Sequence, residues 1–254
     1  MFALFIYPFL GILLLSLIHC YFGLHVIKRG VIFADLALSQ LAALGVCVSV
    51  FFPLLPVMVP PLFFTALGSA IFTSFSFIKD KVQQEIFIGI VYVISAALCM
   101  AIMSKSVLQQ HQLSAMLVGD ILLITPQILI KMTVIYGAIG LFHWFFRSSF
   151  HQHSHWLFTF LFYATFGVVV TSSVSAVGIL LVFAYLIIPA QFSQSFLTTF
   201  RYQLYLGTVV SVLTSLLGIA ISIYFDLPTG SSIVCAFVVH LLIQLVIKGL
   251  LRKL

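Results

Sequence analysis

Residues 30–52 read GVIFADLALSQLAALGVCVSVFF, an apolar run with one charged residue, Asp35. An α-helix needs about 20 mostly apolar residues to cross a membrane, and this run is that long. Similar runs fill most of the chain, which is 63% hydrophobic and 6% charged. Soluble domains carry roughly a quarter charged residues, so a soluble core cannot explain this composition. The pattern predicts an all-α fold, a polytopic transmembrane helical bundle.

Turn residues and charges divide the chain into eight or nine predicted spans within a single transmembrane domain, residues 1–254. Spans are predicted at about residues 2–27, 31–52, 57–78, 85–104, 127–146, 203–225 and 231–250. The run 157–190 is too long for one span and short for two. We expect it to break at TSSVSAVG, residues 171–178, where small polar residues loosen the helix. The apolar stretch 117–126 is too short to span alone.

Basic residues outnumber acidic ones 11 to 5 and lie at the predicted helix ends. Because Lys and Arg are retained on the cytoplasmic side, this pattern predicts orientation. The residues expected in the cytoplasm are Lys28, Arg29, Lys79, Lys81, Arg147, Arg201, Arg252 and Lys253. The charges form no continuous basic face, so we expect no nucleic-acid partner.

The sequence lacks the common hydrolase motifs HExxH and GxSxG and has no phosphate-binding loop GxxxxGK[ST]. Acid–base catalysis has few candidates among five acidic residues. We therefore expect no enzyme activity, no cofactor and no ATP hydrolysis by this chain. The four Cys lie in apolar runs without redox or metal-ligand spacing, which is typical of small buried residues.

Asp35 is the residue most indicative of transport. An ionisable side chain inside a span costs about 2.5–3.5 kcal/mol and marks a pathway or a paired site by default. Asp35 follows Arg29 by six residues, which on a continuous helix is about 9 Å and places it inside the span. The alternative is an interfacial carboxylate paired with Arg29. For Asp120 and Asp226, a helix cap or turn residue is as good an interpretation as a carboxylate in the transport path. Glu85 fits a charge at the membrane interface.

Several segments together resemble one family, over about residues 10–248. They read GVIFADLALSQLAALGV, IGIVYVISAALCMAI, LVGDILLIT, VGILLVFAYLIIPAQFS and FDLPTGSSIV, in that order. They are similar to the membrane permease of ABC importers for zinc, manganese or iron, the ABC-3 family. The resemblance implies a type II importer permease in a bacterial inner (plasma) membrane.

The resemblance also implies partners: an ABC ATPase subunit, a periplasmic or lipoprotein metal-binding protein, and a second permease copy, identical or related. Residues 190–201 match the family segment that docks into the ATPase. The docking residues predicted from this match are Gln191, Phe192, Gln194, Phe196 and Arg201. Phe192, Phe196 and Phe200 follow each other at four-residue intervals, which favours an amphipathic docking helix over an ordinary polar loop.

Two departures from the family bear on the metal. The family carries Asp and His one turn apart in its second span, whereas this chain has Asp35 followed by Ser39 and Gln40. These three residues are the predicted translocation gate, with oxygen donors and an amide that suit Mn²⁺ or Fe²⁺ as well as Zn²⁺. The loop after Arg147 is shorter than in the family and alternates His151, His153 and His155, either a metal-binding loop or a solvated linker.

Two alternatives remain open. A permease for metal chelates such as siderophores or cobalamin shares a related architecture, but those permeases are longer. The other alternative is a secondary carrier or a membrane-assembly protein without transport activity.

Overall fold

The computed structural model describes residues 2–51, 59–104, 119–146 and 156–251. Within these ranges the chain forms nine α-helices and one short 3₁₀ turn, and no strand. The helices are α1 (Phe2–Arg29), α2 (Ala34–Phe51), α3 (Val59–Phe75), α4 (Lys81–Met103), α5 (Pro126–Phe145), α6 (Trp156–Val177), α7 (Ile179–Phe196), α8 (Phe200–Phe225) and α9 (Thr229–Leu251). The 3₁₀ turn is Ile121–Leu123.

Seven of these helices, α1 and α4 to α9, are long and apolar enough to cross a membrane. The other two, α2 and α3, are apolar but shorter. The predicted all-α, multi-pass membrane bundle is thus confirmed. The part of the chain that the structure describes thus contains seven long helices and two shorter ones, and eight or nine spans were predicted.

The connection between α1 and α2 differs from the prediction. Gly30 has φ 70°, a left-handed conformation that ends α1 directly after Arg29. A turn follows, in which the N–H of Ala34 donates to the carbonyl of Val31, and α2 begins at Ala34. Asp35 therefore lies in the first turn of a new helix and not six residues along a helix that continues from Arg29. The premise of the 9 Å estimate was wrong.

The long apolar run after Trp156 breaks within the predicted segment 171–178. Gly178 has φ 84° and separates α6 from α7. Gly119, with φ 49°, approaches this break so closely that a Cβ atom there would lie 2.2 Å from the carbonyl oxygen of Val177. Only glycine fits at position 119, because any side chain would collide with this backbone.

Contacts between Cα atoms divide the chain into two compact units. Unit 1 contains α1, the 3₁₀ turn, the start of α5 up to Met132, and the chain from Ala176 through α9. In it α1 packs against α7 and α8, and α9 packs against α7 and α8. Unit 2 contains α2, α3, α4 and the larger parts of α5 and α6, with α2 packed against α3 and α4. The single domain over residues 1–254 stays a prediction.

Candidate functional site

The acidic residues show which carboxylate is available for a ligand. Asp80 and Asp120 cap helices: each side chain accepts a backbone N–H two residues later, at 2.9 Å. Asp226 ends α8 in a left-handed conformation, as a turn residue. Glu85 accepts the N–H groups of Ile32 and Phe33. The cap and turn alternatives for Asp120 and Asp226 are thus the ones observed, and the carboxylate that remains is that of Asp35.

Asp35 is buried in unit 2, with 1% of its surface exposed. Both carboxylate oxygens are enclosed and accept no hydrogen bond of normal geometry. The position at the start of α2 favours a negative charge, since the helix dipole is positive there. Burying a carboxylate without hydrogen-bond donors costs free energy during folding. A cation that reaches Asp35 therefore meets a ligand that has already lost its water, and binding need not remove that water again.

The two other predicted gate residues follow Asp35 on α2 and are buried as well. Ser39, one helical turn further on, is 1% exposed, and Gln40 is 6% exposed. Because Ser39 follows Asp35 by four residues, its hydroxyl lies on the same face of α2 as the Asp35 carboxylate, and neither group forms a hydrogen bond of normal geometry. This arrangement offers a carboxylate and a hydroxyl on one side of a cation.

The site has few donors. No cluster of three or more His, Cys, Asp or Glu side chains occurs in the described ranges. Two oxygen donors on one helix are fewer than the 6–8 or so oxygen ligands of a tight site for a hard cation, or the four of a structural zinc site. The arrangement suits transient contact with a passing ion better than storage.

Neighbouring hydroxyls on α3 are engaged elsewhere. Thr65, Ser69 and Thr73 are buried and each donates to the carbonyl four residues earlier, at 2.7–2.8 Å. The Thr65 hydroxyl also lies 3.2 Å from that of Thr171 on α6. These hydroxyls are thus satisfied within α3 and by α6, and Leu38 and Leu41 of α2 pack over Gly68 of α3.

Two histidines that could have faced the Asp35 helix are bonded within α1. The Nδ1 atoms of His19 and His25 lie 3.0 and 2.9 Å from the carbonyls of Leu15 and Tyr21. Both are packed histidines of the protein core. His151, His153 and His155 lie outside the described residues, so the metal-binding loop stays a prediction.

The predicted docking segment does not form one amphipathic helix. Gln191, Phe192, Gln194 and Phe196 belong to the last turns of α7, which ends at Phe196, whereas Phe200 begins α8. The Phe200 ring turns back onto α1, 5.0 Å from His25 between ring centres, with the Lys28 ammonium 5.1 Å from its centre. The four-residue spacing of the three Phe residues was therefore misleading, because Leu197–Thr199 interrupt the helix.

The predicted docking residues fall into two groups. Phe196 is 48% exposed and Arg201 is exposed, at the connection between α7 and α8. Gln191, Phe192 and Gln194 are half-buried. The amide nitrogen of Gln194 donates to the carbonyl of Leu24 at 3.2 Å, and the Phe192 ring packs on His240 at 4.7 Å. Gln194 and Phe192 thus fasten the end of α7 within unit 1.

Two contacts were missed by the sequence reasoning. Glu85 binds the turn before α2, which lies 52 and 53 residues earlier in the chain, and it had been read as an interfacial charge. Cys47 of α2 and Cys99 of α4 are buried in one cluster with Leu44. Neither contact can be recognised in the sequence, because the residues are about 50 positions apart and meet only when α4 packs against α2.

The fold and this site define a class: a multi-pass helical membrane protein with an enclosed carboxylate near a helix start. The sequence matches the ABC 3 transport family over residues 1–248. The chain belongs to this family and is a membrane permease of ABC transporters.

Two individual proteins illustrate the likeness. A "Probable iron transport system membrane protein" of Haemophilus influenzae is 26% identical over 190 residues, which is 68% of this chain and 70% of that protein. The solved structure "PsaBC from Streptococcus pneumoniae in complex with Fab" has a TM-score of 0.76, with 21% identity over 93% of this chain and 89% of that one. At this identity the structural likeness shows the fold alone.

Proposed function

We propose that the chain is the permease subunit of an ABC importer that moves a divalent metal ion, Zn²⁺, Mn²⁺ or Fe²⁺, across the inner membrane. The observation that carries the proposal is the carboxylate of Asp35. Of the acidic side chains it is the one that is enclosed and without a hydrogen bond. A buried ionisable group in a membrane protein marks a pathway or a paired site by default, and the absence of a hydrogen bond to the Asp35 carboxylate favours the pathway.

Two further facts support a metal as the transported ion. The Haemophilus influenzae relative is named as a probable component of an iron transport system. The donors at the site, a carboxylate and a hydroxyl, are those that hard and borderline divalent cations accept. Because Ser39 and Gln40 replace the imidazole of the family pattern, the site gives no preference for zinc.

Asp35 would act as a low-affinity gate. Ion conduction requires contacts strong enough to admit the cation and weak enough to release it. The metal would receive Asp35 and Ser39 from one helix and complete its shell with water or with groups from a second permease copy. Alternating opening to the two sides would be driven by an ATPase subunit that binds or hydrolyses ATP.

The proposed partners are an ABC ATPase, a second permease copy and an external metal-binding protein. Phe196 and Arg201 are the exposed residues of the predicted docking segment and would contact the ATPase. An aromatic and an arginine side chain are the types that most often dominate binding energy in interfaces.

The test is uptake of radioactive Mn²⁺, Zn²⁺ and Fe²⁺ by cells that lack the chain and carry wild type, Asp35→Ala, Asp35→Asn or Ser39→Ala. We expect Asp35→Ala and Asp35→Asn to abolish uptake at normal membrane abundance, and Ser39→Ala to weaken it. Asp226→Asn, at an exposed turn, is the matched control and should transport normally. Wild-type uptake by both Asp35 variants would remove Asp35 from the path.

A further inference from the structure

The turn that precedes α2 is held by the first turns of α4. One carboxylate oxygen of Glu85 accepts the backbone N–H of Ile32, and the other accepts that of Phe33 at 3.4 Å. Both N–H groups lie directly before a helix start, where backbone donors have no helical partner and attract negative charge. Glu85 therefore caps α2 from a different helix.

Contacts around Glu85 extend this attachment. A Cβ atom at Gly30 would lie 3.6 Å from Cδ of Lys81, so the stem of Lys81 lies against the start of the turn. The Lys81 ammonium donates to the side-chain oxygen of Gln84 at 3.0 Å, and Gln84 is 1% exposed. Asp80 caps α4 itself. The stretch from Asp80 to Glu85 is thus ordered as one piece against the turn.

Backbone hydrogen bonds join this turn to the first turn of α2, which contains Asp35. The N–H of Ala34 donates to the carbonyl of Val31 at 3.2 Å, and that of Ala37 donates to the carbonyl of Phe33 at 3.1 Å. Asp35 lies between these two donors, two residues beyond Phe33. A displacement of the Ile32 and Phe33 backbone would therefore move the Asp35 carboxylate with it.

We propose that Glu85 is a positioning residue for the Asp35 gate: its carboxylate fixes the start of α2, and it connects the 76–81 turn before α4 to the site that the metal passes. The proposal rests on the proposed function of Asp35. Glu85 itself touches no metal. Movement of the 76–81 turn would reach Asp35 through Lys81 and Glu85, without any change in the ligands of the gate.

The variants follow from the two hydrogen bonds. Glu85→Ala removes both acceptors, whereas Glu85→Gln keeps one carbonyl oxygen. We expect Glu85→Ala, which loses both hydrogen bonds, to raise the KM for metal uptake about tenfold, and Glu85→Gln, which keeps one acceptor, to lie between it and wild type. A residue that only stabilised the fold would lower abundance and apparent Vmax and leave KM unchanged. Gln83→Ala, at an exposed position two residues away, is the matched control.

The experiment uses the assembled transporter. Uptake of radioactive Mn²⁺, or of whichever of the three metals the wild type carries, is measured against concentration and normalised to permease abundance. Hydrogen–deuterium exchange of the peptide that contains residues 30–36 is measured on the same preparations. Glu85→Ala should speed exchange in this peptide and Gln83→Ala should not.

The outcomes separate the two proposals. If Asp35→Ala transports like wild type, the proposed gate is wrong. If Asp35→Ala is inactive while Glu85→Ala and Glu85→Gln keep the wild-type KM and exchange, the gate stands and the positioning role of Glu85 is overturned. If Glu85→Ala does not accumulate, Glu85→Gln decides: a raised KM supports the role and an unchanged KM contradicts it.

Discussion

The hydroxyl groups of Tyr185 in α7 and Ser215 in α8 lie 2.6 Å apart, and both side chains are completely buried. Ser215 donates its proton to the carbonyl of Ser211 at 2.7 Å. Because a serine has one hydroxyl proton, its oxygen must accept in the contact with Tyr185. The tyrosine hydroxyl of α7 is thus the donor, and the serine hydroxyl of α8 is the acceptor.

This direction predicts unequal effects of removing either partner. Ser215→Ala leaves the buried Tyr185 hydroxyl without an acceptor, at a cost of about 1–3 kcal/mol, whereas Tyr185→Phe removes the donor and costs about 1 kcal/mol. Thermal unfolding in detergent should show the larger loss for Ser215→Ala. The double variant should be no less stable than Ser215→Ala alone. Tyr205→Phe, at a side chain that is 73% exposed, is the control; equal losses for both single variants would contradict the assigned direction.

The contact between α1 and α7 predicts a strong effect of one methyl group. A Cβ atom at Gly23 would lie 1.9 Å from the carbonyl oxygen of Leu186, so Gly23→Ala must push the helices apart. Small residues at such contacts let helix backbones approach closely in membranes. We expect the Gly23→Ala variant to yield much less folded protein than the wild type, measured as the monodisperse peak in size-exclusion chromatography in detergent.

A matched glycine should behave in the opposite way. A Cβ atom at Gly137, in the interior of α5, would meet no atom within 4 Å. Gly137→Ala should keep or raise thermal stability, by up to about 1 kcal/mol, because alanine is the better helix former. If both glycine variants fold equally well, the close approach of α1 and α7 is wrong.

Much of the fold could be predicted from sequence because length and hydropathy define a membrane-spanning helix locally. The predicted run 127–146 corresponds to α5, and the predicted break at 171–178 contains Gly178. The start of α2 was placed differently, because the left-handed conformation of Gly30 is one of several that the sequence allows. The charged residues Lys28 and Arg29 predict the break itself, whereas hydropathy gives no sign that the turn extends over residues 31–33.

The site was predictable in part for the same reason. Asp35, Ser39 and Gln40 stand out in an apolar helix, and each of them is buried. The partner of Glu85 could not be found, because it consists of two backbone N–H groups 52 and 53 residues earlier. Every residue other than proline has a backbone N–H group, so these donors leave no signal in the sequence, and a single sequence does not show which distant segments are in contact.

The cysteines predict a labelling pattern that tests the burial of α1, α2 and α4. Cys20, Cys47 and Cys99 are at most 1% exposed, and Cys235 of α9 is exposed. A small lipid-soluble thiol reagent should modify one site per chain in detergent, and Cys235→Ser should remove it. The other three should react only after denaturation, as mass spectrometry of the intact chain would show. Modification of Cys47 or Cys99 in the folded chain would contradict the packing of α2 on α4.

The connection between α7 and α8 predicts where ATPase binding is sensitive. Arg201 is exposed and Phe196 is 48% exposed, whereas Gln194 is fastened to the carbonyl of Leu24. Arg201→Glu and Phe196→Ala should each weaken binding of the partner ATPase by about 2 kcal/mol, or roughly 30-fold, because arginine and aromatic side chains act as anchors in interfaces. Co-purification of the ATPase and its stimulation by the permease are the measurements.

The control for this charge reversal is Lys131→Glu, at an exposed lysine near the start of α5. It changes the net charge of the chain by the same amount as Arg201→Glu, so a general electrostatic effect would weaken binding in both variants. We expect loss of the ATPase with Arg201→Glu and wild-type binding with Lys131→Glu. Undiminished co-purification and stimulation with both Arg201→Glu and Phe196→Ala would show that the ATPase docks elsewhere, and residues 190–201 would then be an ordinary connection between two helices.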